Sequence, residues 1–186
     1  VNYFTDFADQ AVLLPLAFIV AASLGLAGWW RGAGAWLLGV GATLVLMLLL
    51  KLAFIACGPG DILRSPSGHT AAAAVVCGGL AAVLARQRYW ALPVAFVAAV
   101  LIGGSRLALG VHTPLEVLLG GAVGIAGAGL TAAVVGPMPE LRRNRIVLAA
   151  IVTVVVLHGV RMPAEAHIRD FAQRVALFLP ACSAAR

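Results

Sequence analysis

Apolar residues run along this chain in long stretches, and the polar ones gather in short clusters between them. Uncharged runs occupy residues 10–30, 32–50, 65–85, 89–105, 117–139 and 146–160. A helix that crosses a bilayer needs ~20 apolar residues, with ~17 as the lower limit, so the first, third and fifth runs suffice as they stand. The second suffices if it continues past Lys51 to Cys57; the 89–105 run is marginal and the 146–160 run is short. The pattern predicts an all-α fold, an integral-membrane six-helix bundle with spans at about 10–30, 34–57, 67–86, 89–106, 114–136 and 146–161, in a single domain over residues 1–186. Residues 164–179 differ in kind. Ile168, Phe171, Ala172, Val175, Phe178 and Leu179 recur at helical spacing, with Glu165, Arg169, Asp170, Gln173 and Arg174 opposite them. That periodicity predicts a C-terminal amphipathic helix, which either lies on the outer membrane surface or docks on the bundle.

Composition points the same way. Hydrophobic residues make up 62% of the chain and charged ones 11%, whereas a soluble domain carries about a quarter charged residues. The formal charge of +6 would suggest nucleic acid in a soluble protein, but loop arginines of a membrane protein give the same balance, so no nucleic-acid partner is expected. Arg31, Arg86, Arg88, Arg142, Arg143 and Arg145 fall in the three connections on one side, which should be cytoplasmic. The N-terminal stretch with Asp6 and Asp9, the 58–68 and 106–113 loops and everything after Arg161 then face outward. Glycines crowd Gly120–Gly129, where small side chains let helices approach closely in lipid. Cys57, Cys77 and Cys182 have no metal-ligand spacing, and a buried free Cys57 is favoured over its pairing with Cys182. The first apolar run is too long and too poorly flanked by basic residues for a cleavable signal sequence.

Ionisable groups near hydrocarbon are costly, so Lys51, His69, Arg106, His112 and Glu116 each call for a partner or a task. All five sit at helix ends on the outward side. Lys51 alone would read as a side chain snorkelling to the interface. Pro66-Ser67-Gly68-His69-Thr70 opens the third helix, where N–H groups, a glycine and a hydroxyl form an anion cradle. Ser105-Arg106 ends the fourth, and His112-Thr113-Pro114-Leu115-Glu116 starts the fifth. Thr113 and Glu116 have capping-box spacing. Glu116 also stands four residues beyond His112 and can hold one imidazole nitrogen, leaving the other free to attack. Basic groups with a helix N-terminus bind a tetrahedral oxyanion, and two histidines can divide nucleophile and acid roles; phosphoryl transfer suits such a set.

These residues resemble the type-2 phosphatidic acid phosphatase superfamily, membrane lipid phosphatases whose site is related to that of vanadium haloperoxidases. The family pattern is K-x6-R-P, P-S-G-H and S-R-x5-H-x3-D. This chain has Lys51-x6-Gly58-Pro59, Pro66-Ser67-Gly68-His69 and Ser105-Arg106-x5-His112-x3-Glu116. The resemblance implies that His112 is a nucleophile forming phosphohistidine, that His69 protonates the leaving oxygen and that Glu116 orients His112. Lys51, Ser67, Gly68 and Arg106 would hold the phosphate, with no metal and no cofactor. Gly58 stands where the family has a phosphate-binding Arg, and Glu116 replaces an Asp. Arg64, two residues before Pro66, is the candidate to refill the missing place. The loop from Gly58 to Ser65 leaves little room for a lid, so the pocket should open sideways to lipid.

The expected activity is therefore a lipid phosphate or pyrophosphate phosphatase in a bacterial inner membrane, multi-pass, with its site facing the periplasm. Its partners would be a lipid phosphate substrate and membrane lipid. Within the family a polyprenyl carrier such as undecaprenyl pyrophosphate leads, with phosphatidylglycerophosphate, phosphatidate or lipid A phosphate as alternatives. A phosphotransferase would use the same residues, and the loss at Gly58 would suit a non-catalytic component of envelope assembly.

Overall fold

A computed structural model describes residues 9–57, 65–85, 87–137, 139, 143–160 and 162–176. Seven α-helices account for nearly all of them: α1 Gln10–Leu26, α2 Trp30–Cys57, α3 Gly68–Leu84, α4 Ala91–Ala108, α5 Pro114–Val134, α6 Arg143–Leu157 and α7 Ala164–Ala176. A single 3-10 turn, Arg88–Trp90, leads into α4, and the described residues include no strand.

Among the described residues, three helical stretches are long and apolar enough to cross a membrane: Trp30–Cys57, Arg88–Ala108 and Pro114–Val134. Helices α1 and α3 are apolar but have 17 residues each, at the lower limit for a span. Helix α6 has 15 residues; at 1.5 Å per residue it covers roughly 22 Å of a ~30 Å hydrocarbon core. The sequence marks these helices but misplaces several ends. The first run was expected to reach residue 30, yet α1 stops at Leu26 because Gly28, at φ 82°, turns the chain before α2 begins. An apolar Trp29-Trp30 pair hides that turn from a hydropathy pattern. Helix α6 likewise starts three residues earlier than expected, taking in Arg143 and Arg145, and ends at Leu157 rather than near 161.

Side-chain size is distributed inside out relative to a soluble domain. Large apolar residues such as Phe18, Leu49, Phe96, Leu101, Leu118 and Val156 point outward, while the interior of α3 is built from Ala71, Ala72, Ala73, Ala74, Gly78 and Gly79. Where the surroundings are as apolar as the core, burial of apolar area no longer drives association; close backbone packing does, and small residues permit it. Helix α3 is accordingly central, packed against α2, α4 and α5. A Cβ on Gly124 would collide with the Ala71 carbonyl oxygen, and one on Gly120 with that of Ser67. The glycine stripe thus does what its composition suggested, and its first member brings α5 against the segment that opens α3.

The helices alternate in direction, which sorts the chain's polar groups to two ends. At one end Arg31 Nε donates to the Val134 carbonyl at 3.0 Å, and the last turn of α3, Gln87, Arg88, Gly136 and Pro137 line one surface groove. At the other, the Ser67 N–H donates to the Glu116 carbonyl at 2.9 Å, and Met162 N–H to Asp9 Oδ1 at 3.1 Å. Arg86 and Arg142 lie outside the described residues.

Helix α7 docks. It packs on α2 with Ala172 fully buried and Phe171 57% exposed; residues 177–179 of the expected helix lie outside the described residues. Cys57, at the end of α2, is disulfide-bonded, which replaces the free thiol expected there. A free cysteine does occur at Cys77, and Cys182 lies outside the described residues.

Candidate active site

Local sequence determines how the fifth helix begins. Pro114 presets φ for the first turn, the Thr113 N–H donates to Glu116 Oε2 at 3.0 Å, and the Glu116 N–H donates to Thr113 Oγ1 at 3.4 Å, completing a capping box. The same Oε2 lies 2.9 Å from His112 Nδ1. An ionised carboxylate only accepts, so Nδ1 carries the proton, and in the neutral ring the lone pair is then on Nε2. Cap and orienting group are therefore one side chain, not alternatives.

Glu116 has a third task that its spacing did not reveal. Its Oε1 accepts from the Ser65 N–H at 3.0 Å, across 51 residues of chain. Together with the bond from the Ser67 N–H to its carbonyl, this fastens the segment that opens α3 to the first turn of α5. Glu116 is 3% exposed. Burying a carboxylate in hydrocarbon is tolerable only with hydrogen-bond partners for its oxygens, and the N–H groups of Ser65, Thr113 and His112 supply them. The side chain is thus a bracket between the two motif-bearing segments.

Lys51 does not snorkel outward. It is 2% exposed, and its Nζ donates to Ser65 Oγ at 3.2 Å. Ser65 therefore touches both the buried cation and the buried carboxylate, an arrangement the sequence reading missed. The available signal was Pro66, since a residue before proline is pushed to extended backbone and its N–H is left for a tertiary partner.

Ser67 caps α3. Its hydroxyl lies 2.8 Å from Thr70 Oγ1 and accepts from the Thr70 N–H at 3.4 Å, with the residue wholly buried. The side chain is thus engaged in shaping the helix start, where Gly68 and His69 present the first N–H groups of the helix. Gly68 and His69 share with Lys51 the lining of a cavity of about 380 Å³. Arg106 is half-buried in the last turn of α4, where its carbonyl accepts from the Val111 N–H at 3.3 Å; Gly110, at φ 65°, then reverses the chain toward His112. Arg64 and Gly58 lie outside the described residues. Lys51, Ser65, Glu116 and His112 are linked in one chain of contacts, His69 and Gly68 adjoin it through Lys51, and Arg106 reaches it along the backbone.

Basic groups, a helix start and a carboxylate-held imidazole thus lie at one end of the helices. Residues 57–138 match the family model of the PAP2 superfamily. The match takes in the P-S-G-H and S-R-x5-H segments and agrees with the resemblance carried by those motifs; Lys51 lies six residues ahead of it. No curated protein and no solved structure matches the chain. The match to the PAP2 superfamily supports phosphatase chemistry on a phosphate ester, and among the described residues three apolar helices are long enough to cross a membrane.

Proposed function

We propose that this protein is a membrane lipid phosphatase whose six apolar helices, α1 to α6, form a bundle in a bacterial inner membrane, with the end that carries His112 facing the periplasm. The observation that carries the reading is the His112–Glu116 contact of 2.9 Å, made by a carboxylate that is itself buried and fastened to the P-S-G-H segment. An imidazole so held presents Nε2 for attack on phosphorus. The P–O bond to the leaving group, an alcohol for a phosphate monoester or a lipid monophosphate for a pyrophosphate, breaks as His69 gives its oxygen a proton, and a phosphohistidine remains. Water then attacks the phosphohistidine, passes its proton to His69 and frees inorganic phosphate. Lys51, Arg106, Gly68, Ser67 and Arg64 hold the phosphoryl oxygens, the first two by charge and the helix start by its N–H groups. A polyprenyl carrier such as undecaprenyl pyrophosphate is the leading substrate. Release of phosphate from a panel of lipid phosphates and pyrophosphates by the detergent-purified protein tests the reading; no release from any of them would end it.

Arg64 is proposed to stand in for the arginine that the family has at Gly58. Arg64→Ala should lower kcat/KM by about 10²–10³, the usual effect of a lost oxyanion contact, and Gly58→Arg should restore part of it. Near-normal kinetics in Arg64→Ala would show that Lys51 and Arg106 suffice.

Orientation has its own test. In a background without native cysteines, Asn144→Cys at the arginine-rich end should resist a membrane-impermeant thiol reagent in intact cells, and Val111→Cys, exposed beside His112, should react. The opposite labelling would place the site in the cytoplasm.

A further inference from the structure

The cavity beside the site is walled by four helices and is mostly apolar. Leu44, Met47 and Leu48 descend along α2 from Lys51, Ala71 and Ala72 descend along α3 from His69, and Leu14 faces them from α1. Met162, Ala164 and Ile168 close the remaining side from α7 and the segment before it. That segment is pinned, since Asp9 Oδ1 accepts from both the Ala11 N–H at 2.9 Å and the Met162 N–H at 3.1 Å. The residue that caps α1 therefore also holds the approach to α7 over the cavity.

Two site residues with side chains line this space, Lys51 and His69, whereas His112, Arg106 and Glu116 do not. In a phosphoryl transfer the attacking and leaving atoms lie in line on opposite faces of phosphorus. With His112 attacking from one face, the leaving oxygen departs on the face served by His69, and the cavity begins there. Resting on the function proposed above, we infer that this cavity receives the apolar part of the leaving group, and that α7, through Ile168 with Met162 just before it, is a specificity-determining wall.

The space suits an aliphatic chain. Its 380 Å³ is within the ~300–1,000 Å³ of ligand sites and holds about a dozen groups of water size at ~30 Å³ each. It thus takes the phosphate-proximal part of a lipid tail, the remainder passing out among the lipids. Most of its wall is apolar, with Asp9, Gln10, Thr43 and His167 also on the lining, and a short polar alcohol would leave the apolar part unfilled.

Filling the cavity from α7 tests this. Ile168→Trp is expected to lower the ratio of kcat/KM for a long-chain phosphate monoester to that for phenyl phosphate by about tenfold or more, and Met47→Trp should do the same from the facing wall. A ratio that stays constant, with both substrates affected alike or neither affected, would overturn the inference. A second measurement needs no turnover and no variant. A lipid phosphate with a diazirine on an early carbon of its chain is photolysed with the full-length protein, and the labelled peptides are identified by mass spectrometry. Label within residues 162–176 or 44–48 supports the chamber, and label confined to α4, α5 or α6 refutes it. Protein that releases phosphate from neither ester but labels in this chamber would count against the phosphatase reading alone.

Discussion

His112→Ala should abolish phosphate release, by about 10⁴-fold or more, as expected when the nucleophile of a covalent mechanism is removed. The fold should survive it. Glu116 Oε2 would still accept from the Thr113 N–H and Oε1 from the Ser65 N–H, so the bracket between α3 and α5 remains. The stability cost is then that of one hydrogen bond, ~0.5–1.5 kcal/mol, and detergent-extracted variant should elute and melt much like the parent. Retention of even a tenth of the activity in the variant would remove His112 from the mechanism. Capture of the phospho-adduct on His69 instead would exchange the roles of the two histidines.

Glu116→Gln is expected to act on rate and on stability together. Spacing alone suggested a clean separation, because glutamine also serves in a capping box and a catalytic effect would then appear at unchanged melting temperature. The bond from Ser65 changes that expectation. The Thr113 N–H, His112 Nδ1 and the Ser65 N–H all donate to the Glu116 carboxylate, and a carboxamide has only one oxygen to offer them. Either placement of its NH₂ sets donor against donor at a buried position, at a cost of ~1–3 kcal/mol. The rate should fall further than that cost explains. With the negative charge gone the positive imidazole loses its counter-charge, and an amide NH₂ turned to Nδ1 enforces the wrong tautomer; the comparable isosteric change in a serine protease triad costs about 10⁴-fold. Assay well below the lowered melting temperature separates the effects: a fully folded variant with near-normal kcat would leave Glu116 a purely structural residue. Glu116→Asp is the companion, since the shorter side chain cannot serve all three donors. A melting temperature restored without rate would mean that the aspartate still reaches the Ser65 N–H but no longer holds the His112 imidazole.

Much of this was legible in the chain. Six apolar runs announced the helices α1 to α6, three of which are long and apolar enough to cross a bilayer among the described residues, because hydropathy and length are properties of each segment independently of its neighbours. The arginines and the polar motifs were expected at opposite ends, and the contacts of Arg31, the groove at Arg88 and the contacts of Glu116 put those residues there. Thr113, Pro114 and Glu116 foretold their own capping box, and His112 its partner one turn away, since these contacts are made within five residues of sequence. The P-S-G-H and S-R-x5-H spacings pointed to the family that matches residues 57–138. Helix ends were less visible, as at Gly28, where a positive φ and not a polar residue makes the turn.

Sequence by itself determined that the protein is helical and apolar, that its ionisable groups cluster at helix ends, and that one histidine is paired with one carboxylate, because all of these follow from composition or from contacts one helical turn long. Only the tertiary structure decided that Lys51 turns inward to Ser65, that Glu116 clasps the start of α3 from 51 residues away, that Gly120 admits that clasp, and that α7 docks on α2 beside His69. Each of these depends on two distant segments meeting, and the energy that selects them comes from supplying hydrogen-bond partners to a buried carboxylate and from close packing of small side chains. Neither quantity belongs to a local stretch of chain, so neither can be read from one.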